Sequence, residues 1–111
     1  MTQVNFKYDG CAYELTASGH AGYAEVGEPD IVCASLSVLS FQLAKVIDGL
    51  YESGKLKTDP VVILNDGNVT IRCVPLKKYE TETAYAFDFS FAGFSLLAEN
   101  YPDNVKINRE S

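Results

Sequence analysis

The sequence has no tryptophan, a single histidine, only three cysteines, and nine Lys and Arg against fifteen Asp and Glu over 111 residues. Each shortage excludes something. Few basic residues, a net charge of -6 and a pI near 4.6 argue against direct nucleic-acid binding, because neutralising phosphates takes clustered Lys and Arg. An acidic surface is compatible with a basic partner and also simply with solubility. One histidine and three scattered cysteines, Cys11, Cys33 and Cys73, show no Cys-x-x-Cys spacing, so no metal site is expected. An odd number of unpaired cysteines does not make a disulfide framework, and the thiols read as reduced and cytoplasmic. Neither a Walker-type nor a dinucleotide-type glycine loop is present, and no cofactor is expected. The opening "MTQVNFKYDG" reads as a strand and not as a charged leader followed by an apolar stretch. The apolar run from Ile31 to Tyr51 is interrupted by serines, Gln42, Lys45 and Asp48. It is a poor membrane span, and no membrane partner is expected.

What is present suits a folded globule: 47% of the residues are hydrophobic, with seven Tyr and six Phe. The length suggests one domain, residues 1–111, large enough to bury a core unaided. Val4, Phe6 and Tyr8 alternate with polar residues, Asp9-Gly10 signals a turn, and Cys11, Tyr13 and Leu15 alternate again, which predicts a hairpin. On this pattern Cys11 and Cys73 read as ordinary thiols in hairpin strands. Residues 18–29 carry Gly19, Gly22, Gly27 and Pro29 and predict a loop. Asp30 then reads as the N-cap of a long helix from Ile31 to about Ser53. In that helix Val32, Leu36, Leu39, Leu43, Val46 and Leu50 recur at steps of three and four, and Gly54 closes it. Val61–Leu64 and Val69–Val74 predict a second hairpin around "NDGN".

The stretch "ETAYAFDFSFAGFSLLAENY" is ambiguous: Tyr85, Phe87, Phe89 and Phe91 alternate as in a strand, while Ala84, Phe87, Phe91, Phe94 and Leu97 form one helical stripe. Its length and its ending favour a helix. Pro102 breaks it before a short last strand at Val105 and Ile107. The order β-β-α-β-β-α-β predicts an α+β domain with two helices packed on a sheet. The unusually apolar first helix and the aromatic stripe from Phe87 to Phe94 suggest a homodimer.

His20 and Cys33 are the chemically interesting pair. With Asp30 as N-cap, Cys33 falls in the first helical turn, where free N–H groups and the positive dipole end favour a thiolate. A nearby histidine would favour it further, and the same N–H groups could hold a tetrahedral oxyanion. The Asp30 carboxylate, close to the thiol, opposes ionisation. On the other reading, Cys33 is a buried helix thiol between Val32 and Ala34 and His20 an ordinary loop residue.

The segment "GHAGYAEVGEPDIVCASLS", residues 19–37, resembles the signature of the ribosomal-processing cysteine proteases, the Prp family. The shared features are a Gly-His-Ala start, a Gly-x-Asp approach and an apolar Val-Cys-Ala helix opening. A looser resemblance covers the whole chain, including "LLAENYPDNVKI". The resemblance implies a small α+β domain, usually homodimeric. It also implies removal of a short N-terminal extension from large-subunit ribosomal protein twenty-seven, after an aromatic-rich stretch. Carried over, Cys33 is the nucleophile and His20 the base, Gly19 permits the tight loop, and Asp30 and Ser37 shape the site or contact substrate. One departure is an extra residue near Glu28 and Pro29, between His20 and Cys33. No third catalytic member is evident, with Glu25 and Asp30 as candidates. Two rival readings remain. One is a non-catalytic ribosome-associated binding or assembly protein of the same fold. The other is a thiol sensor in which Cys33 is oxidised.

Overall fold

Alternation of apolar and polar residues builds the sheet. In the computed structural model, which describes residues 1–110, β1 (Thr2–Tyr8) and β2 (Tyr13–Ser18) pair antiparallel with Val4 opposite Ala17 and Phe6 opposite Leu15. These four side chains therefore share one face and are buried. Between the strands, the Asp9 carboxylate accepts hydrogen bonds from Ala12 N–H at 2.8 Å and Cys11 N–H at 3.2 Å. These bonds, that from Ala12 first, pull the Asp9 pKa down to about 2. The turn so built takes Cys11 out of the strand, where alternation had placed it, and leaves it exposed. Cys73, by contrast, ends a strand and is buried, and burial pushes its pKa up to about 12.

The second hairpin is β3 (Val61–Asn65) with β4 (Asn68–Cys73), and β5 is Val105–Glu110. The sheet runs β3-β4-β2-β1-β5, antiparallel except where β5 pairs parallel with β1. Its helices are α1 (Ile31–Glu52) and α2 (Glu80–Asn100), so the element order is the one the pattern predicts, with only a short 3-10 turn at Lys77–Tyr79 added. Both helices lie on the face that carries Val4, Leu15 and Ile71, in a single core cluster.

α1 turns Val32, Leu36, Ser40, Leu43, Ala44 and Ile47 inward. Length and composition alone would let α1 cross a membrane, but in this fold that face is committed to the sheet. Leu50 and Gly54 bracket the helix end, where the Lys55 N–H reaches the Leu50 carbonyl at 2.9 Å.

The ambiguous stretch is helical. Phe87 and Phe94 are buried, and the Phe6 ring meets Phe91 and Phe94 edge-on at 5.3 and 5.7 Å between centroids. Those two aromatics thus serve the core and not an outer surface. The outward apolar residues are instead Tyr85, Phe89 and Leu96 on α2, 72%, 65% and 60% exposed, with Val46 of α1 sharing a groove with Tyr85 and Phe89, and Val38 and Phe41 elsewhere on the α1 surface at 66% and 54%. An apolar area of this kind on a small domain marks a contact surface.

Phe94 is fully buried, so Phe94→Ala should cost about 3–5 kcal/mol, read as a lower urea midpoint at unchanged slope.

Candidate active site

Asp30 assembles the loop and the helix start together. Its backbone is extended (φ -101°, ψ 101°), and Oδ1 accepts from Val32 N–H at 3.0 Å and Cys33 N–H at 2.9 Å. Oδ2 reaches back to Tyr23 N–H at 3.1 Å and Ala24 N–H at 3.3 Å. One carboxylate therefore caps α1 and clamps the segment that leads away from His20. The bond from Cys33 contributes most to holding its pKa below the usual 3.8, with partial burial opposing and the other N–H groups adding. Residues between Ala24 and Asp30 are left outside the clamp as an exposed turn, closed by Glu28 N–H on the Glu25 carbonyl at 3.0 Å. Glu28 and Pro29 lie in this turn, away from His20 and Cys33.

His20 and Cys33 line one cleft between the loop, the start of α1 and the β3–β4 turn. Ser37, one helical turn beyond Cys33, lines it too, as does Gly19. Gly19 has φ +91°, and a Cβ there would stand 2.5 Å from the Met1 carbonyl oxygen. Any other residue would push the loop off β1. Asp30 does not line the cleft; it acts from behind, through the backbone. Among the described residues, no hydrogen bond joins the His20 ring to the Cys33 thiol, and the ring is mostly exposed.

Two expectations change. The helix-start N–H groups of Val32 and Cys33 are taken by Asp30, so they are not free to hold an oxyanion; of the cleft's other side-chain donors, Thr2 and Ser40 give their hydroxyls to the Gly19 and Leu36 carbonyls, which leaves Ser37, Asn65 and Asn68. The carboxylate beside the imidazole is neither Glu25 nor Asp30 but Asp66, with Oδ1 3.7 Å from His20 Nδ1. Asn65, Asp66, Gly67 and Asn68 were legible only as a hairpin turn. Nothing in the linear pattern brings that turn to the histidine.

The chain matches the family described as "Cysteine protease Prp" over residues 1–106. It is 32% identical over 99 residues to the ribosomal processing cysteine protease Prp of Mycoplasma genitalium, covering 87% of this chain and 88% of that protein. A crystal structure of the essential ribosomal processing protease Prp from S. aureus, with a covalently linked product peptide, superposes with a TM-score of 0.76. The two are 25% identical, over 98% of this chain and 99% of that one. SMU.848 from Streptococcus mutans superposes at 0.70, with 27% identity over 100% and 96% of the two chains.

Replacing Asp30 by Ala removes the cap, which should cost about 1–2 kcal/mol, and frees the Tyr23–Ala24 segment. Because the folded pKa is lowered, the stabilisation by the ionised carboxylate is complete above the ordinary carboxylate pKa of 3.8. It is lost as pH falls through the folded value. Urea unfolding of wild type and Asp30→Ala from neutral pH downward should show the gap between them narrowing in acid.

Proposed function

The chain belongs to the Prp family of cysteine proteases, and on that footing we propose that it removes the N-terminal extension of large-subunit ribosomal protein twenty-seven through a Cys33–His20 dyad. The observation that supports this most is the convergence of His20, Cys33 and Ser37 on one cleft, in a chain whose whole length follows the family fold. The S. aureus relative holds a product peptide covalently, as a thiol nucleophile would.

The chemistry follows from the groups present. His20 takes the Cys33 thiol proton as the loop brings the ring inward over a bound peptide, a tightening common to catalytic pairs that are loose without substrate. The thiolate sulfur attacks the scissile carbonyl carbon, and the negative charge develops on the carbonyl oxygen. With the helix-start N–H groups engaged by Asp30, the donors for that oxygen come from the cleft side chains, Ser37 foremost. Collapse breaks the C–N bond, the imidazolium gives its proton to the leaving amine, and the acyl group stays on sulfur as a thioester. His20 then takes a proton from water, whose oxygen attacks the thioester; collapse releases the acid and returns the proton to the thiol. The acidic protein suits a basic ribosomal substrate. A cytoplasmic location follows from such a substrate and from reduced thiols.

The outward apolar stripe of α1 and α2 supports a homodimer, each copy covering the other's Phe41 and Phe89.

Cleavage of a peptide carrying the host's own ribosomal N-terminus, read by mass spectrometry, should give one cut after the aromatic stretch. Cys33→Ala should give none, and His20→Ala should lower kcat by about 10²–10⁴-fold; full activity in Cys33→Ala would overturn the reading. Phe89→Glu, at a position 65% exposed, should convert a dimer to a folded monomer in sedimentation velocity.

A further inference from the structure

The β3–β4 turn meets His20 in two ways and its neighbour Gly19 in a third. Asp66 Oδ1 stands 3.7 Å from Nδ1. Gly67 lies against the ring: a Cβ built there would be 2.9 Å from Nε2, 3.2 Å from Cε1 and 3.6 Å from Cδ2. The Gly67 carbonyl also accepts the Gly19 N–H at 3.0 Å, so the turn is tied to the loop one residue before the histidine. Approach within the ring plane would leave Cε1 and Cδ2 much farther away than Nε2. The similar distances instead put Gly67 over the ring face, out of the line in which Nε2 would exchange a proton. The two partners differ in backbone structure. The turn joins strands paired from Asn65↔Asn68 onward, and β4 is itself held by β2. The histidine sits on a segment with no strand or helix between Ser18 and Ile31.

We propose that Asp66 and Gly67 are the positioning residues of His20, a role resting on the assignment of His20 as the base. Gly67 is the seat on which the imidazole lies, and it works because it has no side chain. Asp66 accepts the Nδ1–H as the loop closes, selecting the tautomer whose Nε2 carries the lone pair for the thiol proton. The same division of labour, with a base oriented by a third polar group, recurs across nucleophilic hydrolases. Here the third group comes from a hairpin tip and not from the loop or helix that carry the pair. At 3.7 Å the contact is one step short of a hydrogen bond, consistent with a site that tightens on substrate.

His20 is the chain's only histidine, so its ring nitrogens can be read without assignment in ¹⁵N-labelled protein. With the imidazole neutral, wild type should show Nδ1 as the protonated nitrogen. Asp66→Ala should move the population toward the Nε2–H form that free histidine prefers, without changing the fold, because Asp66 is 96% exposed. In the peptide assay Asp66→Ala should lower kcat about 10- to 100-fold with KM little changed. Gly67→Ala, which leaves the carboxylate in place, should lower kcat by displacing the ring. An unchanged tautomer population in Asp66→Ala together with kcat within twofold of wild type would overturn the positioning role while leaving the dyad intact. Absence of cleavage by wild type would defeat the protease reading, and the tautomer spectrum would still decide whether Asp66 holds the ring.

Discussion

Everything at the cleft depends on one carboxylate with four donors. Asp30 closes the first turn of α1 through Val32 and Cys33 and the departing loop through Tyr23 and Ala24. A helix N-terminus offers orphan N–H groups that something must satisfy. Here the residue that satisfies them also sets where the loop leaves the body of the protein, and so where His20 can reach. The same bonds remove the helix-start donors from the proposed reaction. The carboxylate thus serves order at the site, and the proposed reaction draws its oxyanion donors from cleft side chains such as Ser37.

The cleft draws its parts from a helix, a hairpin tip and a loop. Cys33 and Ser37 stand on a helix whose inner face is locked into the core, and Asp66 and Gly67 cap a hairpin in the sheet. His20 rides on irregular backbone, held at its own carbonyl by the Met1 ammonium at 2.6 Å, through Gly19 by Gly67 and Thr2, through buried Ala21 by the Asn104 side chain at 3.0 Å, and farther on, through Tyr23 and Ala24, by Asp30. The exposed turn at Glu25–Glu28 lies outside these tethers.

The outer surface follows from the same helices. A two-layer domain buries one side of each helix, and α1 and α2 carry more apolar residues than one sheet face can take. The excess emerges as Val38, Phe41, Tyr85 and Phe89.

Local patterns by themselves determined much of this protein. Period-two alternation in Val4, Phe6, Leu15 and Ile71 and helical spacing in Val32, Leu36 and Leu43 are signals carried within single elements, and so the element order and the core were legible. Asp30 as N-cap was legible for the same reason, since a cap is a contact between neighbours in sequence. The stripe Phe87, Phe91 and Phe94 favoured a helix but could not exclude a strand, because both periods pass through the same aromatics. Tertiary packing decided the rest. Which aromatics are core and which are surface depends on how α2 lies on β1 and β2. Cys11 left its strand because Asp9 found two N–H partners in the turn. The carboxylate beside His20 comes from Asp66, far along the chain, because the order β3-β4-β2 brings the second hairpin's tip to the end of β2, where the histidine loop begins. Strand order is a property of the whole sheet, and no window of the sequence contains it.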